Sequence, residues 1–169
     1  MDVLQAILSR RSIRRYTDKL VPQETIRKLL EAGMAAPSAN NKQPWHFVVI
    51  TDRATLDAIP NFHPYSRMLF EAPLAILVCG DSSLESHPGY MAQDCSAAVE
   101  NILIAAQGLG LGAVWLGVYP REERMAGMKE LLKLPESIIS FALISIGYSA
   151  EEKPPADRYL ETRVHHNKW

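Results

Sequence analysis

The sequence is poor in several features that define other classes of protein. Among its 169 residues it has two cysteines, Cys79 and Cys95, which form neither a disulfide framework nor a CxxC motif. No apolar run reaches the length that crosses a bilayer, so no membrane contact is expected. The first residues are acidic and apolar before they are basic, the reverse of a signal peptide. We therefore expect a cytoplasmic protein.

An excess of charge of either sign is also missing. The chain has 18 basic and 19 acidic residues, and its formal net charge is −1. Proteins that bind nucleic acid usually carry a basic surplus, so a nucleic-acid partner is not expected. The composition, 47% hydrophobic and 22% charged, is typical of a globular chain that can bury a core. Because no repeat or linker divides it, we expect a single domain over residues 1–169.

Local motifs for metal or nucleophilic catalysis are absent as well. The five histidines lack the spacing of a metal site, and no G-x-S-x-G elbow occurs. The glycines at 108–112 follow a predicted helix and precede a predicted strand, whereas a dinucleotide fingerprint must follow a strand and open a helix. They predict a helix C-cap and a tight turn instead. A bound cofactor would then have to supply any chemistry.

What the sequence does contain is a dense basic segment, Arg10 to Tyr16 (RRSIRRY), called here the arginine segment. Four arginines fall within six residues. If the segment is extended, Arg10, Ser12 and Arg14 point to one side and could bind a phosphate bidentately. The alternative is a solvated basic turn between two helices. The neutral total charge favours a small anionic ligand over a polyanion.

A second segment rich in hydrogen-bonding groups is PSANNKQPW, residues 37–45. Its prolines and side-chain amides predict an irregular loop. The loop could be an ordinary polar surface loop. It could also bind a heteroatom-rich ring, because polar loops on a rigid scaffold suit recognition.

Hydrophobic periodicity predicts alternating helices and strands. The predicted helix at 90–107 is apolar on nearly all sides, which is typical of a helix buried in a core or an interface. The polar tail, 148–169, is either disordered or docked on another surface. Helices are expected at 2–9, 22–36, 53–59, 90–107 and 122–132, and strands at 46–51, 74–79, 113–118 and 138–146.

Taken together and in this order, the motifs resemble those of the nitroreductase family of FMN-dependent oxidoreductases. The resemblance is carried by RRSIRRY, APSANNKQPW, APLAILV, GLGLGAVWLG and a C-terminal DRY. It implies an α+β fold with a central mixed, mainly antiparallel sheet flanked by helices. It also implies an intertwined homodimer with two FMN sites at the interface, and a tail, 148–169, that packs on the partner subunit.

The resemblance assigns residues to the FMN cofactor and none to catalysis by a side chain. One subunit would hold the phosphate and ribityl oxygens, and the polar loop of the other would line the flavin. A backbone N–H of the third strand would lie near flavin N5. The implied set is Arg10, Arg11, Ser12 and Arg14 from one subunit, Pro37, Ser38, Ala39, Asn40 and Gln43 from the other, Leu116, Gly117 and Val118 along the isoalloxazine, and Arg158 of the tail as a further phosphate partner.

The activity implied by the resemblance is that of an NAD(P)H oxidoreductase. Hydride would pass from NAD(P)H to flavin N5, and a small electron-poor acceptor, a nitroaromatic or a quinone, would then use the same face in a ping-pong mechanism. The alternative is a flavin-binding sensor or carrier without steady turnover. The choice between NADH and NADPH stays open.

Overall fold

A four-stranded antiparallel sheet forms the centre of the chain in the computed structural model, which describes residues 1–169. The strand order is β1-β2-β4-β3, and each neighbouring pair is antiparallel. Strands β1 and β3 therefore form the two edges of the sheet. The strands are β1 Trp45–Ile50, β2 Leu74–Asp81, β3 Gly112–Gly117 and β4 Ile138–Gly147.

Five α-helices surround the sheet, and short 3-10 turns lie at 39–41, 59–61, 67–70 and 161–163. The helices and strands predicted from periodicity are confirmed, with ends that differ by at most two residues. The helices are α1 Val3–Ser9, α2 Gln23–Met34, α3 Arg53–Ala58, α4 Pro88–Gly108 and α5 Glu122–Leu132.

The two faces of the sheet are both covered, which explains why its central strands are continuously apolar. In β2, Ile76 and Val78 belong to the core beneath α2 and α4. Leu77 and Cys79 point to the opposite core, which includes residues of α3 and α5. The predicted α+β fold, with helices flanking a mainly antiparallel sheet, is confirmed.

Helix α4 ends in a Schellman motif, as the glycine segment predicts. Gly110 has a φ of 75°, a left-handed conformation that glycine adopts without steric cost. The N–H of Leu111 donates to the carbonyl of Ala106 over 2.8 Å, and the N–H of Gly110 donates to that of Gln107 over 3.1 Å. The turn leads directly into β3, so the glycines serve the fold.

The arginine segment is extended and lies against the outer edge of β3. Ser12 forms an isolated parallel bridge with Ala113, and the N–H of Ile13 donates to the carbonyl of Ala113 over 3.0 Å. The side chain of Ile13 is buried in the core. This bridge is the parallel pairing in an otherwise antiparallel arrangement.

The tail begins by packing on its own chain. The N–H of Ala150 donates to the carbonyl of Arg15 over 2.9 Å, and the guanidinium of Arg11 donates to the carbonyl of Pro154. From Asp157 onward every residue is exposed, including Trp169. Docking of the tail on a partner subunit stays a prediction. None of the helices could span a membrane, given their length and polarity.

Candidate functional site

The end of β3 turns some of its backbone groups away from the sheet. The N–H of Val118 donates to the carbonyl of Phe141 on β4 over 3.2 Å, whereas the carbonyl of Ala113 faces the arginine segment on the outer edge. Backbone groups of alternate residues in an antiparallel strand point to opposite sides. Gly117 therefore directs its N–H and its carbonyl toward the outer edge.

Two side chains hold the carbonyl of Gly117. Nε2 of His63 lies 3.0 Å from this oxygen, and Nη1 of Arg124 donates to it over 2.8 Å. Burial lowers the pKa of His63, so the imidazole is neutral, and Nε2 carries its proton because a carbonyl only accepts. The other nitrogen, Nδ1, is buried without a hydrogen-bond partner. The arginine also lies over the ring of Tyr65, 5.3 Å from its centroid.

A cavity of about 480 Å³ opens beside this strand end, bounded by Leu116 and Gly117 and by the side chains of Arg14, Tyr65 and Trp115. A Cβ built on Gly117 would meet no atom within 4 Å. The strand thus presents bare backbone to open space, and a side chain at residue 117 would extend into it.

A second cavity, of about 640 Å³, lies at the other end of the arginine segment. Arg10 and Arg158 both line it, together with Leu8 of α1 and Glu100 of α4. Nε of Arg10 is 3.6 Å from a carboxylate oxygen of Glu100. Two of the arginines expected at the phosphate thus share one cavity.

Arg14 lies in the first cavity and Arg10 in the second, so the chain does not bring their guanidinium groups to one point. Four residue steps of extended backbone separate their Cα atoms by roughly 13 Å. That both arginines bind the cofactor stays a prediction, but the two would contact different parts of it.

The tail supplies a basic residue that sequence reasoning missed. Nζ of Lys153 donates to the carbonyl of Ser12 over 2.7 Å and pairs with Glu151 at 3.0 Å. A carboxylate oxygen of Glu151 in turn accepts the N–H of Arg14 over 2.6 Å, and this bond lowers the pKa of Glu151. The available signal was a base directly after two acids at 151–153, which is an ordinary pattern on a solvated tail.

The polar loop, residues 37–43, is folded on itself beside the start of β1. Oγ of Ser38 accepts the N–H of Gln43 over 2.9 Å, and Nε2 of Gln43 donates to the side-chain oxygen of Asn41 over 2.9 Å. Asn40, Asn41 and Gln43 have φ of 52°, 55° and 49°, in the left-handed region where asparagine is tolerated. The exposed members of the predicted set in this loop are Pro37, Asn40 and Gln43.

A buried carboxylate in α4 anchors this loop. Oδ1 of Asp94 accepts the N–H of Ala39 over 2.9 Å, while its Oδ2 is buried without a partner. Sequence reasoning missed Asp94 as well. The available signal was an acid next to apolar Cys95 on a helix predicted to be buried.

The polar loop and the arginine segment lie at opposite edges of the sheet. The loop leads into β1, and the arginine segment runs along β3, with β2 and β4 between them. Three strand spacings amount to about 14 Å. A single chain therefore does not bring its loop to its own Gly117.

The fold and the edge of β3 define a class of α+β protein with a three-layer core and an open, arginine-bearing site at one sheet edge. The family model described as the nitroreductase family matches residues 7–63 and 62–148. The chain belongs to the nitroreductase family.

Three similar proteins illustrate the relationship. A Methanothermobacter thermautotrophicus protein, provisionally named an NADH dehydrogenase/NAD(P)H nitroreductase, is 53% identical over 100% of this chain and 88% of its own length. A crystal structure from Parabacteroides distasonis, with the same provisional name, has a TM-score of 0.95 at 43% identity and covers 99% of this chain and 98% of that one. A provisionally named nitroreductase from Desulfovibrio desulfuricans, solved in complex with FMN, has a TM-score of 0.86 at 38% identity and covers 100% of this chain and 98% of its own.

Proposed function

We propose that this chain is an FMN-dependent oxidoreductase that takes hydride from NAD(P)H and reduces a small electron-poor acceptor of the nitroaromatic or quinone type. The observation that carries the proposal is the outer edge of β3, where bare backbone at Gly117 faces a cavity and arginines line the space at both ends of the adjoining segment. The relative solved with FMN supports the choice of cofactor.

The residues present fit FMN. Arg10 and Arg158 share a cavity and would hold the phosphate, since guanidinium groups match phosphate oxygens bidentately. Arg11 and Ser12 lie between Arg10 and Arg14 in the sequence and would lie beside the ribityl chain. The ring would lie along Leu116, Gly117 and Val118, where the absence of a side chain at residue 117 leaves room for it.

When bound, FMN supplies a ring that accepts hydride from NAD(P)H and passes the electrons to the acceptor. The role of the chain is to bind and orient the cofactor and the two substrates. His63 and Arg124 fix the carbonyl of Gly117 and so fix the direction in which the end of β3 presents its N–H. Arg14 would place a positive charge beside the ring. No side chain acts as a nucleophile in this scheme.

We expect the open cavity to accommodate one small ring at a time over the cofactor, either the nicotinamide of NAD(P)H or the acceptor, so that the two bind in turn. This is the basis of the proposed ping-pong mechanism. Initial rates against NAD(P)H at several acceptor concentrations are expected to give parallel double-reciprocal lines. Intersecting lines would contradict the shared position.

We also propose that the functional unit is a homodimer in which each site uses two chains. The polar loop lies too far from Gly117 of its own chain and would reach the Gly117 of a second copy. Helix α1 presents exposed apolar side chains that need a partner, and the exposed tail carries more of them. Those of α1 are Val3, Leu4, Ile7 and Leu8, and those of the tail are Tyr159, Leu160, Val164 and Trp169.

The decisive experiment is reconstitution of the purified protein with FMN, followed by anaerobic addition of NAD(P)H. We expect flavin absorption that stays with the protein through gel filtration, and bleaching far faster than that of free FMN. A nitroaromatic or quinone should then restore the absorption. Bound FMN that NAD(P)H reduces no faster than free FMN would favour the sensor or carrier, and failure to retain FMN would contradict both functions.

A further inference from the structure

The cavity beside Gly117 is lined by an unusual excess of positive charge. Arg14, Arg67 and Arg124 all border it, and no acidic side chain does. The chain as a whole has a net charge of −1, so this excess is local.

These three arginines are also not neutralised elsewhere. The nine ion pairs of the chain involve other basic residues. Arg124 donates to the carbonyl of Gly117, which carries no net charge, and the exposed side chain of Arg67 makes no hydrogen bond. Even with Arg14 given to the cofactor, two cations remain at the mouth of the cavity.

Aromatic surface accompanies the charge. Tyr65 is 70% exposed, and its ring lies beneath the guanidinium of Arg124. Half-buried Trp115 lines the same cavity. Aromatic faces suit a planar ring, and guanidinium groups pair bidentately with a carboxylate or sulfonate. The flavin ring would fill part of this cavity of about 480 Å³, and Tyr65, Arg67 and Arg124 would border an acceptor bound against it.

We propose that this cavity selects acceptors whose electron-poor ring carries an anionic group, a carboxylate or a sulfonate. The inference rests on the proposed function and names the substrate class of the same site. Arg67 and Arg124 contact the anionic group and also steer it, because unneutralised charge in a cleft raises the local concentration of counter-ions.

The test compares two acceptors with the same reacting group, 4-nitrobenzoate and its methyl ester. The FMN-loaded enzyme is reduced photochemically, without NAD(P)H, and mixed anaerobically with each acceptor. The measured quantity is the ratio of the second-order reoxidation rate constants, anion over ester. Differences in intrinsic reactivity cancel when this ratio is compared between variants.

Arg67→Gln is expected to lower the ratio about fivefold, the factor that corresponds to one unit charge at contact distance in water, and Arg67→Glu is expected to lower it further. Salt should lower the wild-type ratio through screening. Arg121→Gln is the matched control, since Arg121 is exposed on the adjoining turn and lies outside the cavity. Its ratio should equal that of the wild type.

An unchanged ratio in Arg67→Glu, with normal reoxidation by the ester, overturns the inference and leaves the proposed function standing. The ratio of the anion and ester rate constants could also stay unchanged while the replacement slows reduction by NADPH, relative to the wild type, more than reduction by NADH. That result assigns the arginines to the phosphate of the donor and also overturns the inference. A wild-type enzyme that neither acceptor reoxidises overturns this inference, and one that a quinone also fails to reoxidise contradicts the proposed function as well.

Discussion

The carboxylate of Asp94 holds the backbone N–H of Ala39 over 2.9 Å, and this bond joins the long helix α4 to the polar loop. Asp94 is 5% exposed, and the second oxygen of its carboxylate has no partner. A loop with three residues in the left-handed region needs such an anchor, because these conformations are costly for residues with a side chain. Asp94 thus sets the position of a loop that we propose contacts the flavin of a second chain.

Asp94→Ala is expected to destabilise the protein by about 1–3 kcal/mol, because the N–H of Ala39 loses its acceptor in a partly buried place. FMN affinity should fall with it. Asp94→Asn keeps an oxygen acceptor, so this variant should retain most of the stability and most of the FMN affinity. Urea denaturation and FMN titration measure the effects, and Gln93→Ala, at an exposed position of the same helix, serves as control. Wild-type FMN affinity in Asp94→Ala would show that the loop does not depend on this bond.

Arg10 and Arg158 are predicted to bind the flavin phosphate. Replacing both with glutamine, rather than glutamate, avoids repulsion with Glu100, which lies 3.6 Å from Arg10. Charge-assisted hydrogen bonds contribute about 1.5–3 kcal/mol each, so FMN affinity should fall by roughly two orders of magnitude or more. The affinity for riboflavin, which lacks the phosphate, should fall only slightly. Equal losses of affinity for FMN and riboflavin would indicate that the arginines serve the fold. Arg163→Gln, at an exposed position of the tail, is the control and should leave both affinities unchanged.

Mixed dimers test whether each site is built from two chains. One variant carries Arg10→Gln and Arg158→Gln, the other Ser38→Trp and Asn40→Trp, and each homodimer is expected to be inactive. A two-fold dimer has two equivalent sites, so in a mixed dimer one site has both defects and the other has none. Random co-assembly makes about half of the dimers mixed, and about a quarter of the wild-type flavin reduction should return. No recovery in verified mixed dimers would place the site within one chain.

The buried imidazole of His63 predicts a loss of stability on mild acidification. Burial lowers its pKa in the folded protein below the ordinary value of 6.5. Between the two values the unfolded chain binds a proton that the folded chain does not, so the stability present above pH 6.5 is lost as the pH falls through the lowered pKa. The slope from this group reaches at most about 1.4 kcal/mol per pH unit.

The measurement is the free energy of unfolding between about pH 6.5 and 5.5, above the range where ordinary carboxylates titrate. His63→Gln is expected to flatten the dependence, and the same replacement at exposed His165 is expected to leave it unchanged. A slope that persists in His63→Gln would assign the proton uptake to another group.

The helices, the strands and the glycine turn after α4 could be predicted because each depends on short-range chemistry. Periodicity indicates which face of a segment is buried. Gly110 adopts the left-handed conformation that commonly ends a helix. For the arginine segment, the pattern left open both an extended conformation and a solvated basic turn. The relation of this segment to others was not predictable, because alternation says which side a residue faces and not what lies there.

By itself, the sequence determined the elements, the order of the motifs and, through them, the family. Tertiary structure alone decided that Arg10 and Arg14 line separate cavities, that Lys153 reaches the carbonyl of Ser12 across 141 positions of sequence, and that the polar loop and Gly117 lie at opposite edges of the sheet. Strand order and the path of the tail depend on the packing of the whole core, in which many weak contacts between distant residues add up. No local pattern of residues encodes that sum.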